Sequence, residues 1–232
     1  MNTPIQAIKV QRLYLQVAEQ LRNLIAEGTF PPGSRLPAER DLAEQFAVSR
    51  PTIREAMIAL EISGLVEVRS GSGVYVLEQG SGPARLEESE APGPFEILEA
   101  RRLIETEASA LAARRITPVQ LAFLAQSLDE MERGSLPVED AEAADQRFHC
   151  LIAEASGNSA LAATVAWLWQ LRKESEISTR FHRRVREEGS RPIVEDHRLI
   201  YAALANGDPD AARSAMAAHL QRVIDNLLAA EQ

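Results

Sequence analysis

Length, composition and charge restrict the classes of protein that this chain can belong to. Its 232 residues suffice for one large domain or two small ones, and a hydrophobic content of 45% suffices for a packed core. A net charge of −9 argues against a uniformly basic nucleic-acid coat, and a single cysteine excludes an intrachain disulfide.

The negative charge lies mostly in the second part of the chain. Residues 1–80 hold 8 basic and 9 acidic side chains, whereas residues 81–232 hold 17 and 25. A nearly neutral N-terminal part can still bind DNA if its arginines share one face. The sequence has neither a signal-peptide pattern nor an apolar run long enough to cross a membrane. We therefore expect a cytoplasmic protein without membrane contact, in keeping with its low cysteine content.

Three short helices are predicted at the N-terminus. Apolar residues at helical spacing predict the first over residues 13–27, and Pro37 opens the second. The third is predicted over residues 51–63, with Ser49 as N-cap and Gly64 as the stop. Two β-branched runs, joined by Ser70-Gly-Ser-Gly73, then predict a hairpin. Three helices followed by a hairpin are typical of a winged helix-turn-helix.

A change of composition divides the chain. Residues 79–94 are rich in Gly, Pro, Ser and Glu and predict a linker between a domain over 1–78 and another over 95–232. The second domain has helical periodicity throughout, with Thr117, Asn158 and Asp208 as N-caps. It is predicted to be an antiparallel all-α bundle of six or seven helices, because residues 159–188 fit either one bent helix or two. The fold class is therefore mainly α.

The third helix is the candidate recognition helix. Arg50, Thr52 and Arg54 are predicted to leave its buried face, and N-terminal residues of such a helix reach base edges in the major groove. Arginine pairs bidentately with guanine, while hydroxyl groups such as that of Ser49 contact phosphate or base. The other predicted DNA contacts are Arg40 in the second helix and Arg69 and Ser70 at the hairpin. The alternative is a solvated helix face, which the combination of turn, helix and hairpin argues against.

Four residues of the second domain suit a metal ion. Asp145 and His149 are four residues apart on a predicted helix and so share a face. His197 and His219 lie on apolar stripes of two later helices, so both are predicted to point into the bundle. Three imidazoles and a carboxylate suit Zn²⁺, and also Ni²⁺, Mn²⁺ or Co²⁺. The alternative is that each histidine is a hydrogen-bonded core residue.

The N-terminal motifs resemble one family. In chain order they read LPAERDL from Leu36, VSRPTIREA from Val48, LEISGLVEV from Leu60 and GSGVYV from Gly71. This order is similar to the GntR family of bacterial regulators over about residues 10–77. Pro51 departs from members that carry a hydroxyl residue at that position. The resemblance implies operator contacts at Arg40, Arg50, Thr52, Arg54 and Gly71.

The second domain resembles the ligand-binding domain of the FadR subgroup of that family. The similarity comprises FEILEARRLIE from Phe95, the later ALAA and Gly157-Asn158, and the four candidate ligands. It implies a metal held by Asp145, His149, His197 and His219, and a carboxylate effector such as a sugar acid or lactate, with a leaning toward hexuronates. Arg101 matches the subgroup's arginine expected to face that carboxylate.

Two further residues are candidate effector contacts. Arg172 follows apolar residues along one helical face and is predicted to point inward. For Arg101 and Arg172 alike, the alternative is a surface ion pair. Asn158 could contact the effector or only cap its helix. Because a palindromic operator needs two reading heads, we expect a homodimer. We expect repression relieved by the effector, with activation as the alternative. A metalloenzyme and an architectural DNA-binding protein are the rival classes. The sequence offers no good general base near the metal ligands, so we do not expect enzymatic activity.

Overall fold

A computed structural model describes residues 12–69, 71–78, 92–133, 137–187 and 194–229. These residues form two compact units, one on either side of the predicted linker. Most of the linker lies outside the described residues; its last residue, Pro94, already belongs to a helix. None of the described helices has both the length and the apolar character needed to cross a membrane.

The N-terminal unit has the predicted elements in the predicted order. Its first and third helices and its first strand pack around residues such as Leu21, Ile53 and Leu60, which are fully buried. The predicted bounds of these two helices are correct to within one residue. Its elements are α1 (Leu13–Ala26), α2 (Glu39–Phe46), α3 (Arg50–Ile62), β1 (Val66–Arg69) and β2 (Gly73–Val76).

The turn between α2 and α3 is fixed by two residues. Ala47 ends α2 in the left-handed conformation, with φ of 54°. Ser49 then caps α3, its Oγ accepting a hydrogen bond from the Thr52 N–H at 3.3 Å. The two strands pair antiparallel, with Val66 opposite Val76 and Arg69 opposite Gly73. The unit is thus a helix-turn-helix followed by a two-stranded wing.

The C-terminal unit consists of helices alone over the described residues. The described residues between 92 and 229 form seven helices, the larger of the two predicted numbers. Ser175 breaks the uncertain segment into two, with extended backbone (φ −71°, ψ 117°) and its hydroxyl donating to the Pro92 carbonyl at 3.0 Å. The helices are α4 (Pro94–Ala113), α5 (Pro118–Glu132), α6 (Val138–Ala155), α7 (Ser159–Glu174), α8 (Glu176–Glu187), α9 (Val194–Ala205) and α10 (Pro209–Ala229).

Predicted caps begin three of these helices. Thr117 accepts from the Gln120 N–H, Asn158 from the Ala160 N–H and Asp208 from the Ala211 N–H, as the sequence predicted. Helix α10 packs against α4 and α9, and α5 packs against α6 and α9. The core between these five helices is aliphatic and aromatic, and it includes Phe148 and Ile200. This packing brings inward faces of α6, α9 and α10 together.

Candidate functional site

Polar side chains gather at the start of α3. The hydroxyls of Ser49 and Thr52 are 2.8 Å apart and exposed. Arg50, in the first turn, is about a third exposed, and its guanidinium lies 3.9 Å from a Glu39 carboxylate oxygen. A helix N-terminus that carries hydroxyls and a guanidinium can bind phosphate and reach base edges. The structure therefore places these three residues where the sequence predicted.

Arg54 is a correction to the sequence prediction. Its side chain is only 2% exposed, and Nε and Nη2 each donate to a different Glu39 oxygen at 2.8 Å. The prediction that Arg54 leaves the buried face of α3 is therefore wrong. Position 54 faces α2, whose Glu39 supplies a bidentate partner. In this arrangement Arg54 connects α2 with α3 and offers no free edge to a base.

The wing and α2 form the rest of the predicted DNA surface. Arg40 is exposed, with Asp41 at 3.7 Å, and Gly71 lies at the wing tip with φ of 70°. Arg69 donates to Glu67 at 2.8 Å and stacks on Tyr75. Ser70, also predicted to contact DNA, lies outside the described residues. A groove of about 330 Å³ runs between α2, α3 and the wing, and its lining includes Arg40, Arg50, Arg54 and Gly71.

Arg35 belongs to this surface but was not predicted. It is exposed, pairs with Tyr75 across an isolated β-bridge and lines the same groove. Its guanidinium lies across Gly73, where an added Cβ would stand 2.5 Å from Arg35 Nε. The glycine, with φ of 112°, thus makes room for an arginine. Only the position of Arg35 just before the LPAER motif could have signalled this role.

The four predicted metal ligands meet inside the C-terminal unit. Asp145 and His149 come from α6, His197 from α9 and His219 from α10, and one donor atom from each lies within 4.8 Å of all the others. Asp145 Oδ1 is 2.8 Å from His197 Nε2 and 3.4 Å from His149 Nε2. The imidazoles are almost fully buried, whereas Asp145 is partly exposed.

This donor set fits a divalent cation. Ligand atoms about 2.0–2.2 Å from a tetrahedral cation are separated from one another by distances of the same order as those observed. His149 Nε2 is buried without a hydrogen-bond partner among the described residues. A buried polar atom without a partner costs free energy, which a coordinated cation would offset. The cluster therefore has the right atoms, spacing and burial for a metal.

Electrostatics keep two ligands in the form that binds metal. Burial raises the pKa of Asp145, but the His149 and His197 imidazoles outweigh it and hold the pKa well below its usual range. Burial, with His197 and His149 nearby, lowers the pKa of His219 far below its usual value. Asp145 is therefore ionised and His219 neutral at pH 7. Burial also lowers the pKa of His149, but Glu105 and Asp145 raise it above the ordinary value overall.

Arg101 is buried beside the cluster, so it is not the surface residue that the alternative allowed. Its Nε donates to Glu105 at 2.7 Å, and its guanidinium lies 3.9 Å above the Trp169 ring. The hydrogen bond from Nε is the one that Arg101 makes among the described residues. The Trp169 Nε1–H is buried and unpartnered there. The Trp169 ring centre is 5.7 Å from that of His149, so this unpartnered donor lies near the cluster.

Arg172 and Asn158 do not belong to the buried cluster. Arg172 is partly exposed, its Nη2 donates to Glu142 at 3.2 Å, and its guanidinium is 5.1 Å from the Trp169 ring centre. Both Arg172 and Trp169 line a groove of about 320 Å³ between α6, α7 and α8. Asn158 is exposed, and its amide oxygen is occupied by the α7 cap. Arg172 therefore lies near the cluster but outside it. Asn158 caps α7, which is the alternative that the sequence left open for it.

Two carboxylates that the sequence prediction missed complete the centre. Glu105 is buried and hydrogen-bonded to His149 Nδ1, and Asp196 is buried 3.4 Å from His219 Nδ1. Burial raises the pKa of Glu105, but Arg101 and His149 reverse this and bring it to about 2. Glu105 is therefore anionic behind His149. The only sequence signals were a glutamate one turn after Arg101 and an aspartate beside His197.

Comparison with known proteins identifies the family. Residues 13–76 match the family described as bacterial regulatory proteins, gntR family, and residues 96–222 match the FCD domain. The chain belongs to the GntR family. Its FCD domain places this GntR protein in the FadR-like subgroup, as the sequence motifs predicted.

Its relatives are regulators of transcription. The GntR chain is 39% identical over 229 residues to the Uxu operon transcriptional regulator of Escherichia coli K12, covering 96% of this chain and 89% of the relative. It is 37% identical to the Exu regulon transcriptional regulator of the same strain, covering 91% and 83%. A GntR-family regulator from Pseudomonas syringae shares the fold, with a TM-score of 0.52, 23% identity and coverage of 94% and 85%. This GntR protein is therefore a transcriptional regulator and not an enzyme.

Proposed function

We propose that this GntR protein is a cytoplasmic repressor that dissociates from its operator when a small carboxylate effector binds at a metal ion. It acts as a homodimer, because two reading heads related by a two-fold axis match two half-sites one helical turn apart. The observation that carries the proposal is the buried set of donors around Asp145, with His149 Nε2 and Trp169 Nε1 unpartnered among the described residues and the Arg101 guanidinium nearby.

The metal in this proposal is held by Asp145, His149, His197 and His219. Three imidazoles and one carboxylate favour Zn²⁺, and Ni²⁺, Mn²⁺ and Co²⁺ accept the same donors. Such a cation supplies positive charge and open coordination positions to a carboxylate ligand. Asp145 is the most exposed of the four donors, so we place the effector on its side of the cluster.

The effector contacts are assigned to polar side chains beside the cluster. The Nη nitrogens of Arg101 suit a carboxylate, which a guanidinium binds bidentately. The Trp169 indole N–H can donate to a hydroxyl or carboxylate oxygen of a sugar acid. Arg172, beside Trp169 in the groove, is assigned to the outer end of the ligand. Asn158 is not assigned to the effector, because its amide oxygen caps α7.

The DNA contacts are assigned to the start of α3 and to the wing. Arg50 and Thr52 read base edges in the major groove, while Ser49 and the helix N-terminus bind phosphate. Arg40, Arg35 and the wing, including Arg69, Ser70 and Gly71, contact the backbone. Arg54 supports this surface through Glu39. Effector binding can shift operator affinity only as far as the effector binds the two states differently.

Fluorescence anisotropy with a labelled fragment of the protein's own promoter tests the proposal. The Zn²⁺-loaded protein should bind this fragment at least tenfold more tightly than a random duplex of equal length. D-glucuronate or L-lactate, as probes, should weaken operator binding tenfold or more, and a chelator should abolish this effect.

Two aspartates on α6 provide matched variants for the same assay. Asp145→Asn should lose the response to the probes, whereas Asp140→Asn, at an exposed position, should keep it. Equal binding to promoter and random DNA would overturn the operator assignment. An unchanged response in Asp145→Asn would overturn the effector site.

A further inference from the structure

Two buried carboxylates stand directly behind the metal-binding histidines. Glu105 on α4 is 1% exposed and hydrogen-bonded to His149 Nδ1, and Asp196 on α9 is 5% exposed and 3.4 Å from His219 Nδ1. Neither carboxylate belongs to the ligand set. In both cases the carboxylate contacts Nδ1, and in His149 the other nitrogen, Nε2, lies 3.4 Å from Asp145 Oδ1.

Each carboxylate is itself held by an arginine. Arg101 Nε donates to Glu105 Oε1 at 2.7 Å, and this pair is almost fully buried. Arg222 grips Asp196 at two points, with Nε 2.8 Å from Oδ2 and Nη2 2.8 Å from Oδ1. These ion pairs restrict the carboxylates to one orientation. The carboxylates in turn restrict the rotation of the two imidazole rings.

The arrangement fixes which nitrogen faces the cluster. A neutral imidazole carries one N–H, and a carboxylate at Nδ1 places that proton on Nδ1. The lone pair is then on Nε2, which in His149 is the buried nitrogen without a partner in the described part of the chain. A carboxylate behind a histidine also makes the other nitrogen a stronger metal ligand.

We propose that Glu105 and Asp196 are positioning residues that hold His149 and His219 with Nε2 toward a bound cation. This inference rests on the proposed metal site and adds its outer carboxylates. It makes the Arg101–Glu105 pair part of both sites, because Arg101 also carries the nitrogens assigned to the effector. The metal and the effector are therefore connected through one buried ion pair.

Zinc affinity of the full-length protein tests this inference. The variants are Glu105→Gln and Asp196→Asn, which keep side-chain size but remove the charge. Glu107→Gln is the matched control, since Glu107 lies on the same helix, is exposed and pairs with Arg213 at 2.9 Å. Competition with a chromophoric chelator measures Zn²⁺ binding, and visible absorption of the Co²⁺-loaded protein reports ligand geometry.

We expect Zn²⁺ affinity to fall about 10- to 100-fold in Glu105→Gln and Asp196→Asn and to stay unchanged in Glu107→Gln. The Co²⁺ spectrum should change in the first two variants only. Circular dichroism of the metal-free proteins checks folding. If Glu105→Gln unfolds, the double variant Arg101→Met/Glu105→Gln, which removes both buried charges, should fold and show the same loss of Zn²⁺ affinity.

The outcomes separate this inference from the function on which it rests. Wild-type Zn²⁺ affinity, within twofold, in folded Glu105→Gln and Asp196→Asn would overturn the positioning role and leave the metal site intact. A wild-type protein that binds no Zn²⁺ would overturn both. An equal loss in Glu107→Gln would assign the effect to helix charge and overturn the positioning role.

Discussion

Arg50 and Arg54 lie one turn apart on α3 and differ in what surrounds their guanidinium groups. For Arg50, about a third exposed at the helix start, we expect Arg50→Ala to weaken promoter binding about 10- to 100-fold, since one arginine–base contact contributes about 1–3 kcal/mol. Arg114→Ala, which removes an exposed arginine from the C-terminal unit, is the control. Fluorescence anisotropy measures both, and equal affinities of the two variants would contradict the assignment.

Arg54 should contribute to the folding stability of the N-terminal unit and not directly to DNA recognition. Arg54→Met removes the bidentate partner of the largely buried Glu39 and leaves it only Arg50 at 3.9 Å, and such a loss destabilises by up to about 3 kcal/mol. Amide hydrogen exchange in α2 and α3 should accelerate accordingly, and Glu39→Gln in the same chain should restore part of the protection. Unchanged exchange together with weakened DNA binding would mean that Arg54 reads DNA after all.

The errors of sequence prediction at this scale share a physical cause. Arg54 and Glu105 carry charge, and charged side chains are usually solvated. Their burial depends on partners that are distant in sequence. Arg54 pairs with Glu39, 15 residues away, and Glu105 pairs with His149, 44 residues away. The metal ligands could be predicted because Asp145 and His149 share a face and the other two histidines interrupt apolar stripes. Glu105, one turn after Arg101, looks in the sequence like an ordinary exposed ion pair, so nothing marks it as buried.

The wing is an element whose geometry depends on one glycine. Gly73→Ala places a methyl group against Arg35 and strains a backbone with φ of 112°, whereas Gly64→Ala strains a backbone with φ of 69° in open space. We expect both variants to lose about 1 kcal/mol of stability. Only Gly73→Ala should lower the salt dependence of binding to a random duplex, by about one unit of slope, as Arg35→Ala would. An equal salt dependence of DNA binding in Gly73→Ala, Gly64→Ala and Arg35→Ala would show that Arg35 does not contact DNA.

Most elements could be predicted because their ends carry local signals. Ser49, Thr117 and Asn158 cap helices through their own side chains, and glycines with positive φ follow several helix ends. The break between α7 and α8 has no proline or glycine. It depends on Ser175, which contacts the Pro92 carbonyl from a distant segment. For this reason the sequence left one bent helix and two helices equally open.

At the scale of the whole molecule, metal binding should appear as stability. A ligand at 100 times its dissociation constant stabilises the native state by about 2.7 kcal/mol. Zn²⁺ should therefore raise the melting temperature of the C-terminal unit in wild type and in Asp140→Asn, with no rise in Asp145→Asn. Differential scanning calorimetry measures the shift. An equal rise in Asp145→Asn would show that Zn²⁺ binds elsewhere.

The donors of the metal cluster come from three helices that are far apart along the chain, with 52 residues separating Asp145 from His197 alone. An ion held by all three would act as a non-covalent cross-link. It would close long loops whose closure costs entropy, so α6, α9 and α10 would open together and not one at a time. The conformational stability of the C-terminal unit would then depend on the supply of a trace metal.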